Sequence, residues 1–430
     1  MRRAVHLSVL LLVATLAGCI ESSSPDGLST TENPRTASGK PHVVVAVFDS
    51  GINPYAPVFR AVGFPEPREI IPDLPPYETV VLSFDLPYAE ALEADKIAAL
   101  QRDRLYWFKD TRILGYAHDD LEDVRYPVID ESGHGTAVAS LIAKTDPNAI
   151  ILAIETFGEI ENAIAWVANE SWVDVLSISV GVIGNLPVEY AAGDEGRAEY
   201  LRVATTNGKL VIGAAGNEFV PPLASSYQGP PWTVGVGGGS STYHSDDAVA
   251  SKVPDVVADD VVEVARHDTT ADEWRWDAGT SFSAPIVSGV LSKSIYAVRS
   301  AWNYSGNIVD GALAAHDGKR LTNADLRAAL NATAIYWSPG EYSPGVDPTC
   351  PVCTYNNSTI PYLPEVPGTP VGPWIQAGWG FVNASTADRI VAILLGKEPN
   401  PARPSGAVEF METIFAARVA YWDLPRPPRP

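Results

Sequence analysis

A carboxylate, an imidazole and a hydroxyl stand at three points of this chain where an apolar run meets glycine. Asp49 ends the run Val43-Val-Val-Ala-Val-Phe48 and precedes Ser50-Gly51. His134 lies between Gly133 and Gly135 at the start of an apolar stretch, and Ser281 lies in Gly279-Thr280-Ser281-Phe282-Ser283-Ala284-Pro285. Each has a plain reading by itself. An Asp before Gly is a turn former, a His between glycines is a cap or packing residue, and a Ser ahead of an apolar helix is an N-cap. As a set, they are the types that nucleophilic catalysis requires. A hydroxyl is a weak nucleophile at neutral pH, so a base must take its proton and a third group must orient that base. Asp49 and His134 are 85 residues apart and His134 and Ser281 are 147 apart, so only a fold can join them.

The elements able to do this are strands alternating with helices. Val43–Phe48 is a continuous apolar run rich in β-branched valine, the mark of a strand buried on both faces. Similar runs occur at Ile150–Ile154, Val173–Ile178, Leu210–Ile212 and Trp232–Val236. Between the first four, the periodicity predicts helices over His134–Lys144, Glu159–Asn169 and Glu195–Thr206. This order predicts an α/β fold: a doubly wound, mainly parallel sheet with helices on both faces. In such sheets ligands bind beyond the carboxyl ends of the strands, which is where these residues fall. The stretch 54–112 opens with Pro54, Pro57, Pro65, Pro67, Pro72, Pro75 and Pro76, then reads as helix around Tyr88–Arg104. It is expected to be an insertion over the surface of one catalytic domain, residues 41–396. In 397–430, Phe410, Ile414, Ala417 and Tyr421 fall on one face of a helix expected to dock on the core, and a Pro/Arg tail follows.

With 46% hydrophobic and 19% charged residues, the chain is neither disordered nor collagen-like. Its 30 Lys and Arg against 52 Asp and Glu leave a formal net charge of -22, which argues against nucleic acid or an anionic membrane surface as partner. Arg2, Arg3 and the apolar run Leu7–Leu16 read as a signal peptide over 1–18, too short to span a bilayer. It ends in Leu16-Ala17-Gly18-Cys19, which resembles the lipobox of prokaryotic lipoproteins. That resemblance implies cleavage before Cys19 and lipid on its thiol, the plainer alternative being a secretory signal with a chance cysteine. The chain is thus expected to be exported, as a cell-surface lipoprotein or a secreted protein, touching the membrane only through a lipid anchor. Residues 19–40 are a polar tether. In an oxidising compartment Cys350 and Cys353 are expected to form a local disulfide, since one CxxC is poor support for zinc. Sequons at Asn169, Asn303, Asn331, Asn356, Asn357 and Asn383 also suit an exported chain.

The blocks Asp49-Ser50-Gly51, Gly133-His134-Gly135-Thr136 and Gly279–Pro285, in that order, resemble the subtilisin-like serine proteases, the subtilases. The resemblance implies Ser281 as nucleophile, His134 as base and Asp49 as the group that orients it. Val211–Glu218 looks like the family's oxyanion segment, which implies Asn217 as a side-chain donor. Ser177-Ile-Ser179-Val180-Gly181 is similar to its substrate-pairing strand. Peptide or protein substrates would then pair along Ser179 to Gly181, with Val180, Gly181, Ala215 and Gly216 walling a pocket for an apolar side chain. Val253–Ala258, Leu321–Leu330 and Gly378–Asn383 also look like family segments, so the resemblance runs from about Val43 to Ala387. It implies no required cofactor. Calcium as a structural ion is common in the family, and Asp119, Asp120, Glu122 and Asp123 are weak metal candidates beside the plainer reading of a solvated loop. Ala137 and Ser140 depart from the family's usual His and Gly. The 21 residues from Cys19 to Lys40 are too few for a folded pro-domain, so the domain is expected to fold without one. Two rival functions are a catalytically silent binding module of this fold and an α/β-hydrolase esterase. The latter is disfavoured because Gly279-Thr-Ser-Phe-Ser283 is not GxSxG.

Overall fold

The computed structural model describes residues 41–71, 73–117, 128–156, 160–180, 195–217, 229–239, 254–303, 307–308, 321–335, 378–403 and 405–423. The valine-rich run becomes β1 (Val44–Asp49), in which all six residues are buried. Its side chains alternate between two cores: Val45 and Val47 join one, and Val44, Ala46 and Phe48 the other. This is the geometry of a strand covered on both faces.

Around β1 lies a nine-stranded sheet in the order β2-β3-β4-β5-β1-β6-β7-β8-β9. The strands are β2 (Glu78–Val80), β3 (Tyr106–Phe108), β4 (Ile113–Ala117), β5 (Ile150–Glu155), β6 (Val175–Ile178), β7 (Leu210–Ala214), β8 (Val234–Gly238) and β9 (Val256–Ala258). β1 pairs in parallel with β5, Val44 opposite Ile150, and with β6, Val45 opposite Val175. Among the described pairings of this sheet, only β3 with β4 is antiparallel. A ribbon of β10 (Val261–Ala265) and β11 (Trp274–Ala278) forms a separate antiparallel pair.

The helices are α1 (Pro67–Ile70), α2 (Tyr88–Ala94), α3 (His134–Thr145), α4 (Ile160–Asn169), α5 (Glu195–Thr206), α6 (Thr280–Trp302), α7 (Asn323–Thr333), α8 (Thr386–Leu394) and α9 (Ser405–Asp423). Residues of α3 and α6 fill the core on one face of the sheet, and residues of α4 and α5 fill the core on the other. The predicted doubly wound, mainly parallel sheet with helices on both faces is the architecture observed. No helix among the described residues is long and apolar enough to cross a membrane.

The stretch 54–112 differs in detail from its sequence reading. β2 and β3 lie within it and make one edge of the sheet, so this part is sheet and not surface cover. Its predicted helix is shorter, ending in α2 and a 3-10 turn over Ile97–Ala99, with Lys96 between them in the left-handed region at φ 55°. In α9, Ile414 is buried, as its predicted face requires, together with Met411 and Arg418. The side chains of Phe410, Ala417 and Tyr421 lie outside what is described, as do residues 1–40 and the tail 424–430.

Arg418 is 1% exposed and reaches Asp255, just ahead of β9. Asp255 Oδ2 accepts from Arg418 Nη1 at 3.1 Å and from the Gly235 N–H at 2.8 Å, and its Oδ1 accepts from Arg327 Nη2 at 3.0 Å. Burial opposes ionisation of this carboxyl, but the two guanidinium groups and the Gly235 amide hold it below the ordinary aspartate range.

Candidate active site

Asp49 is the last residue of β1, at the carboxyl edge of the sheet, and is 3% exposed. Its Oδ1 accepts the Ser50 N–H at 2.8 Å, and His134 Nδ1 lies 2.8 Å from Oδ1 and 3.0 Å from Oδ2. A carboxylate can only accept, so the imidazole proton is assigned to Nδ1, and Nε2 keeps its lone pair. Burial depresses the His134 pKa, but the Asp49 hydrogen bond and the charges of Asp49, Asp130 and Asp277 outweigh it, so the net direction is upward from the ordinary histidine value.

His134 is the first residue of α3, and Gly133 caps the helix at φ 89°. Asp130 organises this start. It is 1% exposed and accepts from the N–H groups of Gly133 at 2.7 Å, Ser132 at 3.1 Å and Thr136 at 2.7 Å. The Ser50 hydroxyl donates to it at 2.8 Å, which ties the turn after β1 to the N-terminus of α3. Ser140 donates to the Ala137 carbonyl at 2.7 Å and accepts the Ala265 N–H at 3.1 Å, joining α3 to β10.

The hydroxyl comes from the other direction. β11 runs into Gly279 and then α6, with Ser281 at its second position. Gly279 has φ 134°, and a Cβ there would stand 2.9 Å from Asn217 Nδ2, so both the backbone and the neighbouring amide require glycine. Thr280 holds that amide: its N–H and Oγ1 donate to Asn217 Oδ1 at 2.8 and 3.0 Å, while the Gly216 N–H donates to Thr280 Oγ1 at 2.9 Å. With its oxygen engaged, Asn217 keeps its two Nδ2 hydrogens as donors.

Pro285 lies within α6 and has no N–H, so the Ser281 carbonyl lacks its usual helical partner. Ser179 Oγ takes that role at 2.8 Å, and in return Ser281 Oγ donates to the Ser179 carbonyl at 2.9 Å. The Ser281 hydroxyl therefore rests on Ser179 and not on the imidazole. The His134 ring nonetheless packs on Phe282, centroids 5.6 Å apart, beside Ser281.

The fold thus joins Asp49 to His134, Asn217 to the segment carrying Ser281, and Ser179 to Ser281 itself. Ala215 is buried and donates to the Val236 carbonyl at 2.8 Å, Gly216 has φ 87°, and Val180 is half-buried against the second core. Gly181, Asp119, Asp120, Glu122, Asp123, Cys19, Cys350 and Cys353 lie outside the described residues. Among the described residues no three His, Cys, Asp or Glu side chains are grouped to hold a metal. Sequence reasoning gave no role to Asp130 or Thr280. Thr280 sits inside the block quoted for Ser281 and Asp130 three residues ahead of the block quoted for His134, and an Asp ahead of a helix start and a Thr beside an N-terminal Ser were the signals available.

No curated protein matches the chain. Solved structures similar to it include one described as the crystal structure of a lanthipeptide protease, 17% identical over 81% of this chain and 88% of that one, with a TM-score of 0.49. Another is a prenylagaramide maturation protease, 16% identical over 82% of this chain and 95% of that one, with a TM-score of 0.44. The sequence model of the subtilase family matches residues 40–361, well over half the chain, and includes Asp49, His134, Asn217 and Ser281. By that match, the chain belongs to the subtilase family.

Proposed function

We propose that this protein is a serine endopeptidase that cleaves peptide bonds through an acyl-enzyme. Ser281 Oγ turns from the Ser179 carbonyl to His134 Nε2, gives up its proton there, and attacks the carbonyl carbon of the substrate. Asp49 holds the imidazole in the Nδ1–H tautomer and stabilises the imidazolium that forms. The oxyanion takes a hydrogen bond from Asn217 Nδ2 and one from the Ser281 N–H, which the second position of a helix leaves without an intrahelical acceptor. His134 returns its proton to the leaving amine, and water repeats the sequence on the acyl-enzyme. The substrate lies extended against Ser179 to Gly181, with Val180, Gly181, Ala215 and Gly216 around an apolar side chain. The observation that carries this reading is the 2.8 Å contact of His134 with Asp49, made while the imidazole packs beside Ser281 on Phe282.

The test is active-site labelling. Ser281→Ala should abolish reaction with a fluorophosphonate and turnover of a peptide pool, while Ser283→Ala should keep both. Labelling that persists in Ser281→Ala would overturn the assignment. A silent binding module is the second reading, favoured by the Ser281 hydroxyl resting on Ser179 instead of His134. It predicts a wild-type chain that neither labels nor cleaves.

We further propose export, with a lipid on Cys19 and residues 19–40 as tether. A Cys19→Ser variant should move from membrane to medium, and one that stays membrane-bound after signal cleavage refutes the anchor.

A further inference from the structure

The strand that delivers the nucleophile also touches the peptide that starts the helix of the base. In the β10–β11 ribbon, Val262 stands opposite Asp277 and Val264 opposite Arg275. Val264 is buried, whereas Trp276 and Val261, on the opposite face by alternation, are 68% and 58% exposed. Arg275 and Asp277 thus belong to the inward face. From there Arg275 Nη2 donates to the Gly133 carbonyl at 3.3 Å and lies 3.2 Å from Asp277 Oδ2.

Gly133 immediately precedes His134, and its lack of a Cβ permits the φ of 89° found there. Four contacts restrain it. Asp130 holds its N–H, Arg275 and the Ala137 N–H share its carbonyl, and the His267 ring covers its Cα so closely that a Cβ would meet Nδ1 at 2.5 Å. Of the four, Arg275 is the one that comes from the strand leading directly to Ser281.

We propose that Arg275 is a positioning residue for His134, fixing the start of its helix through the Gly133 carbonyl and tempering its electrostatic surroundings through Asp277. The proposal rests on the reading of His134 as general base. The charged groups that act on the imidazole are Asp49 from β1, Asp130 from the segment before α3 and Asp277 from β11, while Arg275 from β11 and His267 from the turn of the ribbon stand against Gly133, the residue before it. The carboxylates favour the imidazolium, and the Arg275 guanidinium offsets the nearest one on its own strand. A guanidinium suits the task because its planar fork can serve a carbonyl and a carboxylate at once, which a lysine ammonium does less well.

The experiment compares Arg275→Met, Arg275→Lys and Asp277→Asn with wild type. It uses kcat and KM on an internally quenched peptide pool, kcat/KM against pH, melting temperature, and NMR titration of ¹³C-labelled histidine rings. Arg275→Met should lower kcat by about tenfold with KM changed less than about twofold, as for a small displacement of a catalytic group. Its acid limb and the His134 titration should both move to higher pH, because Asp277 is no longer offset. Asp277→Asn should move both to lower pH. Arg275→Lys should keep the titration near wild type while losing part of kcat. If Arg275→Met keeps the wild-type kcat and the wild-type His134 titration, the proposal is wrong. If Arg275→Met does not fold, Arg275→Lys and Asp277→Asn decide it, and unchanged kcat and titration in both refute it. If the wild type cleaves no peptide, the proposed function fails. The histidine titration then still judges Arg275: movement in Arg275→Met supports it, and none overturns it.

Discussion

The two halves of the site are held by different means. On the side of the proposed base, side chains do the holding: Asp49, Ser50 and Asp130 close a network of hydrogen bonds around His134. On the side of the proposed nucleophile, backbone does it: a glycine at φ 134°, a helix start and a proline that frees a carbonyl set where Ser281, Thr280 and Asn217 stand. The first half is complete as it is. The second keeps its hydroxyl on the Ser179 carbonyl. A network of side chains can be broken one atom at a time, whereas a backbone frame tolerates the loss of a single hydrogen bond better.

Substitutions should show this contrast in order of size. Asp49→Asn offers His134 an N–H as readily as an oxygen, so the tautomer is lost, and kcat should fall by about 10⁴ with the fold intact. A loss under about tenfold would mean that tautomer control is not the role of this half. Arg418→Ala attacks the support of the nucleophile half, because Asp255 leads into β9, whose Ala258 carbonyl accepts from Ser283 Oγ. Breaking this buried pair should cost about 3–5 kcal/mol of stability, measured by denaturant unfolding. The sign with pH follows from the depressed Asp255 pKa. The stabilisation is complete above the unfolded aspartate value of about 3.9 and is lost as pH falls through the lower folded value, so the variant and wild type should converge in strong acid.

Smaller effects belong to the frame around Ser281. Asn217→Ala should lower kcat by about 10²–10³ with KM nearly unchanged, as expected for a donor used in the transition state. A loss confined to KM would make it a substrate-binding residue. Thr280→Val removes one of two donors to Asn217 Oδ1 and leaves the backbone N–H, so kcat should drop by only about tenfold, roughly the worth of one hydrogen bond. The subtlest test is pH. Only neutral imidazole can accept the Ser281 proton, so kcat/KM should be full above the His134 pKa and decline as pH falls through it. That decline should centre above the reference value of about 6.5, and in Asp49→Asn it should move to lower pH. A wild-type profile flat from pH 8 to 5 would remove His134 from the role.

The central strands and their helices were legible because burial on both faces leaves an unbroken apolar run rich in valine, as in Val43–Phe48. The triad blocks were legible because glycines crowd the backbone around each residue. β2 and β3 were not, since three residues are too few to carry a period. The β10–β11 ribbon was missed because Trp-Arg-Trp-Asp-Ala alternates large and charged side chains without a clear apolar face. Arg418 was missed for a different reason: a long cation on a helix reads as solvent-facing until its partner, 163 residues earlier, is known.

That distance has a consequence for the order in which the protein can be made. A chain synthesised from its N-terminus at about 5–20 residues per second presents Asp255 well before it presents Arg418. Until α9 arrives, a carboxylate placed just ahead of β9 has Arg327 as its single guanidinium partner among the described residues. A chain that stops short of α9 can therefore carry Asp49, His134 and Ser281 and still leave Asp255 without its Arg418 partner.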